Sequence, residues 1–295
     1  RDCSAIAQLM PHTHIVCVMD READFFELFD AWRQEPNQRV DLLVRADHNR
    51  CTTEELKLFD AVEATEPKLY FTLHIDRQSA RAKKSKQKAR PKRPERMAEM
   101  VLRYRRIELK PPHYHQDKEP IPIWIIQASE VNSPEGVEPV EWFLLSTKEI
   151  TIPEQAIALL EWYSLRWRIE DWHRVLKSGC AVEDLQHETA ERLKRAIAIN
   201  AVIAWRITLM TLLGREAPEL QADVYFDDIE LKVLEAFAKS NNLPLPVNLG
   251  AAVLLMARIG GYIARKNDPP PGNEIMWYGY MFLRAMCLGY SLHSP

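Results

Sequence analysis

Tyr163, Arg166, Glu170 and Lys177 stand in the segment YSLRWRIEDWHRVLK at spacings of 3, 4 and 7. On a helix advancing ~100° per residue, all four fall within about 60° of arc. One stripe then carries a phenol, two cations and a carboxylate. A carboxylate so placed can hold a divalent cation while Arg and Lys grip phosphate oxygens beside it. The same spacing also fits a surface stripe of salt bridges, in which the i, i+4 pair Arg166–Glu170 contributes about 0.2–0.5 kcal/mol. Asp20 ends the apolar run IVCVM, with Glu22 and Asp24 close behind it. An acid at the end of a buried strand projects where α/β sheets place ligands. At a strand–helix junction it is equally a helix N-cap. Trp162, Trp167 and Trp172 flank the stripe, and Trp142 closes the preceding segment. Each tryptophan fits core packing or a stacking surface for an unstacked base. His113 and His115 form an HxH pair on a Pro-flanked loop with no acid or Cys at ligand spacing, and read as solvent-exposed. His173 lies one turn from Glu170 and reads as a surface imidazole or a partner of that carboxylate.

These residues need a scaffold. The β-branched run 15–19 reads as a buried strand, and Phe25, Leu28, Phe29 and Trp32 recur at helical spacing over 21–33. Strands are expected at 39–45, 69–75, 101–109, 121–128 and 140–145, separated by turn chemistry such as Asn132-Ser133-Pro134-Glu135-Gly136. From Pro153 the pattern turns helical. One helix is expected over 153–177, with Pro at its first turn and Gly179 near its end. Further helices are expected at 191–213, 228–240, 253–264 and 275–288.

Length and composition narrow the classes. At 295 residues the chain is long enough for about two domains. Its 46% hydrophobic and 27% charged residues are those of a folded globular chain. Only 9 glycines occur, where ~7% usage would give about 21, and no glycine-rich phosphate loop is present. The apolar stretch 196–213 is interrupted by Asn200 and Arg206, and reads as a buried helix rather than a membrane span. Five scattered cysteines without a CxxC indicate a reducing cytosol, with neither a disulfide framework nor a zinc cluster. The chain opens at Arg1 with no initiator Met and no apolar leader, so a processed start or further upstream sequence is expected.

Net charge is −3, yet residues 77–106 hold thirteen Lys/Arg against Glu95 and Glu99, a local +11. The Pro-punctuated stretch 83–96 reads as an exposed loop. It fits a solvated loop without a partner, or contact with phosphates through counterion release.

The residues quoted above carry a resemblance. Tyr163-x2-Arg166-x3-Glu170-x6-Lys177 resembles the Y-R-E-K signature of bacterial cut-and-paste DDE transposases of the insertion-sequence-four-like family. YSLRWRIEDWHRVLKSG looks closest to the transposon-five branch. CVMDREAD at 17–24 is similar to its segment around the second catalytic Asp, and EWFLLST at 141–147 to the strand before the signature. ARIGGYIARKNDPPPGNEIMWYGY at 257–280 is similar to its C-terminal helical region.

The resemblance implies an α/β fold: an RNase H-like catalytic core with a β-rich insertion and a C-terminal all-α region. The expected parts are core at 1–48, β-rich insertion at 49–150 with the basic loop 77–106, core again at 151–215, and a helical dimerisation region at 216–295. It implies Asp20 and Glu170 as the second and third DDE carboxylates, binding Mg²⁺ or Mn²⁺ in a two-metal site. The implied reaction is phosphodiester hydrolysis followed by strand transfer, through a hairpin end. Tyr163, Arg166 and Lys177 are implied to bind the transposon-end phosphate, Trp142 to stack on a flipped base, and Arg45 to touch end DNA. The partners implied are transposon-end DNA, target DNA and a second copy in a synaptic complex, with no membrane and a cytoplasmic, nucleoid-associated location.

The family's first Asp and its end-reading domain lie upstream of anything matched here, and Asp24, Asp41 and Asp47 stand in the wrong context to replace that Asp. The chain alone is therefore expected not to cut DNA. The competing readings are a truncated, inactive transposase acting as a dimerising inhibitor or DNA-binding regulator, and a nucleic-acid-binding α+β protein that uses the basic loop.

Overall fold

A computed structural model describes residues 2–35, 39–75, 94–265 and 268–293. The chain divides into two compact units, Arg1–Arg166 and Trp167–Pro295.

The first unit is a six-stranded mixed sheet with helices on both faces. Its strands are β1 (Ile15–Met19), β2 (Val40–Arg45), β3 (Leu69–Ile75), β4 (Arg96–Leu109), β5 (Ile121–Val131) and β6 (Glu141–Ser146). They lie in the order β1-β2-β6-β5-β4-β3, so strands expected in the core and strands expected in the β-rich insertion share one sheet. β1 and β2 are parallel, with Ile15 opposite Val40 and Met19 opposite Val44, and the other pairs are antiparallel. A parallel pair needs a crossover. Here it contains α2 (Phe26–Gln34), which follows a 3₁₀ turn at Arg21–Ala23. That turn replaces the start of the helix expected over 21–33. It rotates Phe25 out to 45% exposure and turns Phe26 and Phe29 into the core.

Alternation along the strands builds two apolar layers. Leu43, Leu102, Ile126 and Leu144 pack with Leu159 and Tyr163 of α4 (Pro153–Ser164). Leu42, Val44, Ile123 and Leu145 pack with Phe26 and Phe29 of α2, and with Leu58 and Val62 of α3 (Leu58–Glu63). Each fully buried large aliphatic contributes about 1.5–3 kcal/mol. β1 stands at one edge of the sheet although all five of its residues are apolar, and among the described residues nothing pairs with its outer side. α1 (Asp2–Leu9), which the periodicity did not announce, is joined to β1 by a Cys3–Cys17 disulfide. The expectation is of no disulfide framework; one pair, Cys3 and Cys17, meets because α1 folds back beside β1, and the other three cysteines are free.

The second unit is helical: α5 (Arg168–Arg174), α6 (Ala190–Glu216), α7 (Asp228–Ser240), α8 (Leu249–Ile259) and α9 (Asn273–His293). Thr189, Asp227 and Asn248 cap α6, α7 and α8 by accepting backbone N–H bonds. The core gathers Ile207 and Met210, Val233 and Leu234, Ala252 and Met256, and Met276 and Leu283. α8 and α9 cross with almost no space between backbones: a Cβ on Gly279 would collide with the Met256 carbonyl oxygen. α6 is long and apolar enough to cross a membrane by length and composition. Ala204, Ile207, Met210 and Thr211 face the core, while Val202 and Trp205 are 64% and 57% exposed, so α6 is only partly buried, which corrects the expectation of a buried helix.

The single helix expected over 153–177 is interrupted. α4 ends at Ser164, a 3₁₀ turn spans Leu165–Trp167, and α5 passes into a π-helical turn at Val175–Gly179. Turns of three and of more than four residues change the angular step, so the shared 60° arc does not hold.

Candidate functional site

In the first unit, the run IVCVM carries the chain along β1 to its C-terminal end, where Asp20 caps the 3₁₀ turn. Its Oδ1 accepts the Glu22 N–H at 3.1 Å, so the N-cap reading holds. Its other oxygen, Oδ2, lies 3.6 Å from Nη1 of Arg166, directly after α4. That is ion-pair range rather than hydrogen-bond length. Asp20 is half exposed, and the Arg166 side chain retains only 16% of its surface. The last β1–β2 pair is Met19–Val44. Continuing that parallel register by one residue sets Arg45 level with Asp20. Both therefore stand at the C-terminal ends of a parallel pair, where α/β sheets bind ligands.

Tyr163 is 3% exposed, on the inner side of α4. Trp142 of β6 meets it edge-on, with centroids 5.6 Å apart and planes at 68°. This is a favourable edge-to-face geometry. The neighbouring Trp162 and Arg166, with His14, Val16 and Val18, line a groove of about 450 Å³ along β1.

In the second unit, Glu170 sits half-buried in the first turn of α5. Glu170, His173, Arg174 and Lys177 line one shallow groove. Lys177, in the π-helical turn, pairs with Glu183 at 2.9 Å, and Arg174 with Asp171 at 2.9 Å. The structure thus brings Asp20 to Arg166, Trp142 to Tyr163, and Glu170 to Lys177.

The other acids near Asp20 have different work. Asp24 is buried; its Oδ2 accepts the N–H groups of Asp47 and His48 at 2.7 and 3.0 Å, and its Oδ1 faces Arg50 at 2.9 Å. The acidic cluster of Asp20, Glu22 and Asp24 does not form. Asp41 is held by His14 at 2.8 Å and Thr147 at 2.7 Å.

Residues 77–93 of the expected basic loop lie outside the described residues. Its C-terminal part is strand, because Arg96–Leu109 is β4. There Arg96 pairs with Glu130 at 2.7 Å, Arg105 with Glu54 at 2.6 Å, and Arg103 donates to the Thr65 carbonyl. His115 is likewise not free in solvent; it meets Glu27 at 2.9 Å.

Carboxylate oxygens are the hard donors that Mg²⁺ and Mn²⁺ take. Among the described residues, however, no three His, Cys, Asp or Glu side chains are placed to hold one ion. Asp20 alone offers a carboxylate already engaged with a backbone N–H and an arginine. These residues do not by themselves fit a complete metal centre.

One polar cluster escaped sequence reasoning. Glu230, fully buried on α7, takes both Oε atoms to Arg206 Nη2 of α6 at 3.2 Å and faces Arg284 of α9 at 3.6 Å. The Arg206 guanidinium lies over the rings of Tyr225 and Tyr280, at 5.3 and 5.2 Å. Burial pushes the Tyr225 hydroxyl pKa far above its usual value, and that hydroxyl donates to the Arg206 carbonyl at 2.8 Å. The capping-box pattern Asp227-x2-Glu230 was the available signal.

The residues of this cluster lie within a match to a known family model. Residues 202–290 match the model described as the transposase Tn5 dimerisation domain.

Proposed function

We propose that the chain is the catalytic portion of a Tn5-like DNA transposase that acts as a dimer. The dimerisation-domain match over 202–290 carries this reading. The Asp20–Arg166 pair supports it, because a carboxylate and a guanidinium side by side suit a metal-bound phosphodiester. On this reading the core is RNase H-like and Asp20 and Glu170 are two of three DDE carboxylates. Their ions would be Mg²⁺ or Mn²⁺, although the described residues do not by themselves complete a ligand set.

The chain's own residues then divide the work. Arg166 and Lys177 hold phosphate oxygens of the transposon end and Arg45 touches end DNA; Tyr163, expected beside them, is 3% exposed and packs against Trp142 instead. Trp142 stacks on a flipped base. The reaction class is phosphodiester hydrolysis and strand transfer on transposon-end and target DNA, through a hairpin end.

The test is Mn²⁺ binding, followed by paramagnetic resonance, on the chain and on Asp20→Ala and Glu170→Ala. Weak binding lost in either variant supports the reading. Binding indifferent to both substitutions overturns it.

A second reading is favoured by the incomplete metal ligand set among the described residues. In it the chain dimerises with an active transposase and inhibits it. Mixing the chain with a full-length partner distinguishes the two: inhibition without metal dependence supports the second.

A further inference from the structure

Beside the Asp20 turn the first unit holds a groove of about 710 Å³, within the ~300–1,000 Å³ typical of ligand sites. Its wall is built on Asp24, which closes the 3₁₀ turn that Asp20 opens. Asp24 fixes Arg50 twice: the Arg50 guanidinium pairs with the Asp24 carboxylate at 2.9 Å and donates to the Asp24 carbonyl. The pair fixes the Arg50 guanidinium in the wall of the groove. Lys110 adds a second cation to the lining, along with the imidazoles of His48 and His113.

Two large aromatics line the same groove and stay in water. Phe25 is 45% exposed and Tyr114 is 61% exposed. Phe25 is turned outward by the 3₁₀ turn that displaced the start of α2. Cations beside solvent-exposed aromatic rings are the chemistry of an unpaired nucleic-acid strand. A duplex does not satisfy both, because its bases are already stacked.

We propose that this groove binds a single-stranded stretch of DNA running past Asp20. Phe25 and Tyr114 stack on successive bases, and Arg50 and Lys110 contact the intervening phosphates. The inference rests on the nucleic-acid reading above and adds a strand-binding site to it.

The test uses the whole chain and a short fluorescent oligothymidylate at low salt, read by anisotropy, with a duplex of equal length for comparison. The oligothymidylate binds, and the groove variants Tyr114→Ala and Lys110→Gln lower its affinity more than that of the duplex. Tyr114→Ala weakens it about tenfold and Tyr114→Phe restores it, because the ring does the stacking. Lys110→Gln lowers the salt slope by about one. Cys51, an exposed thiol lining the groove, gives an independent readout, since saturating oligothymidylate slows its labelling.

Wild-type affinity in both Tyr114→Ala and Lys110→Gln, or an unchanged Cys51 labelling rate at saturation, overturns the proposal. Thermal unfolding of each variant at the wild-type midpoint excludes misfolding as the cause of a loss. None of these variants touches Asp20 or Glu170, so the Mn²⁺ measurement reports on the transposase reading separately.

Discussion

Arg166 Nη1 lies 3.6 Å from Asp20 Oδ2, linking the turn after α4 to the end of β1 across 146 positions of sequence. One residue belongs to the Y-R-E-K stripe and the other to the strand-end acid, and no spacing argument joins them. Because Asp20 is half exposed, water screens the pair, and such pairs contribute about 0–1 kcal/mol. The pair therefore adds little to stability.

Arg166→Ala is accordingly expected to leave the unfolding midpoint within a few degrees of wild type. The same variant lowers affinity for duplex DNA and cuts the salt slope by about one, the signature of one lost phosphate contact. Anisotropy titrations at several salt concentrations, with a thermal melt alongside, check both halves. A large loss of stability with unchanged DNA affinity would assign Arg166 a purely structural role.

Glu230 is the opposite case. It has no exposed surface and is held by Arg206 at 3.2 Å. Glu230→Ala leaves a guanidinium stranded among Tyr225 and Tyr280, and is expected to cost about 3–5 kcal/mol in urea unfolding. A cost under 1 kcal/mol would show that the network is dispensable.

Acid sensitivity has a marker in Asp30. Burial alone would raise its pKa, but hydrogen bonds from Lys118 and Arg33 outweigh that and hold it below the usual carboxylate value. A depressed folded-state pKa gives stability that is full above the unfolded value, about 3.9, and is lost as pH falls through the folded one. Unfolding midpoints between pH 6 and about 2.5 should fall more steeply for wild type than for Asp30→Asn. Parallel curves would remove Asp30 from the account.

Thiol reactivity separates the cysteines. Cys51 is exposed, whereas Cys180 and Cys287 are buried. Burial pushes the Cys180 pKa up to about 11 and raises that of Cys287. Thiolate is the reacting form, so native labelling should stop at Cys51. Peptide mapping without reductant should recover Cys3 linked to Cys17. Rapid labelling of Cys180 in the folded chain would contradict the packing of the second unit.

Much of the scaffold was legible because local pattern and burial agree. The apolar runs at β1 and β2 are strands, but only β2 is buried; β1, expected to be buried, is a half-buried edge strand, and the Asp20 that ends it caps a turn. Sheet order was not legible. β6 inserts between β2 and β5 through pairings such as Leu43–Ser146, which local periodicity does not encode. The break of the 153–177 helix was also hidden, because no Pro or Gly lies between Leu165 and Ser178 to announce it. Phe25 and Phe26 are equally apolar in sequence, and only the 3₁₀ turn decides which faces water. The basic run 77–106 was legible as charge but not as pairing, since Arg96 and Arg105 are neutralised by acids 34 and 51 residues away.

The central claim is that Asp20 and Glu170 serve one divalent-cation site. Crystals soaked in Mn²⁺ and read by anomalous scattering test it directly. The account predicts an ion ligated by carboxylate oxygens of both residues at about 2.0–2.3 Å. Carboxylates more than about 10 Å apart, with no ion between them, would contradict it, since a shared cation spans only about twice the ligand distance.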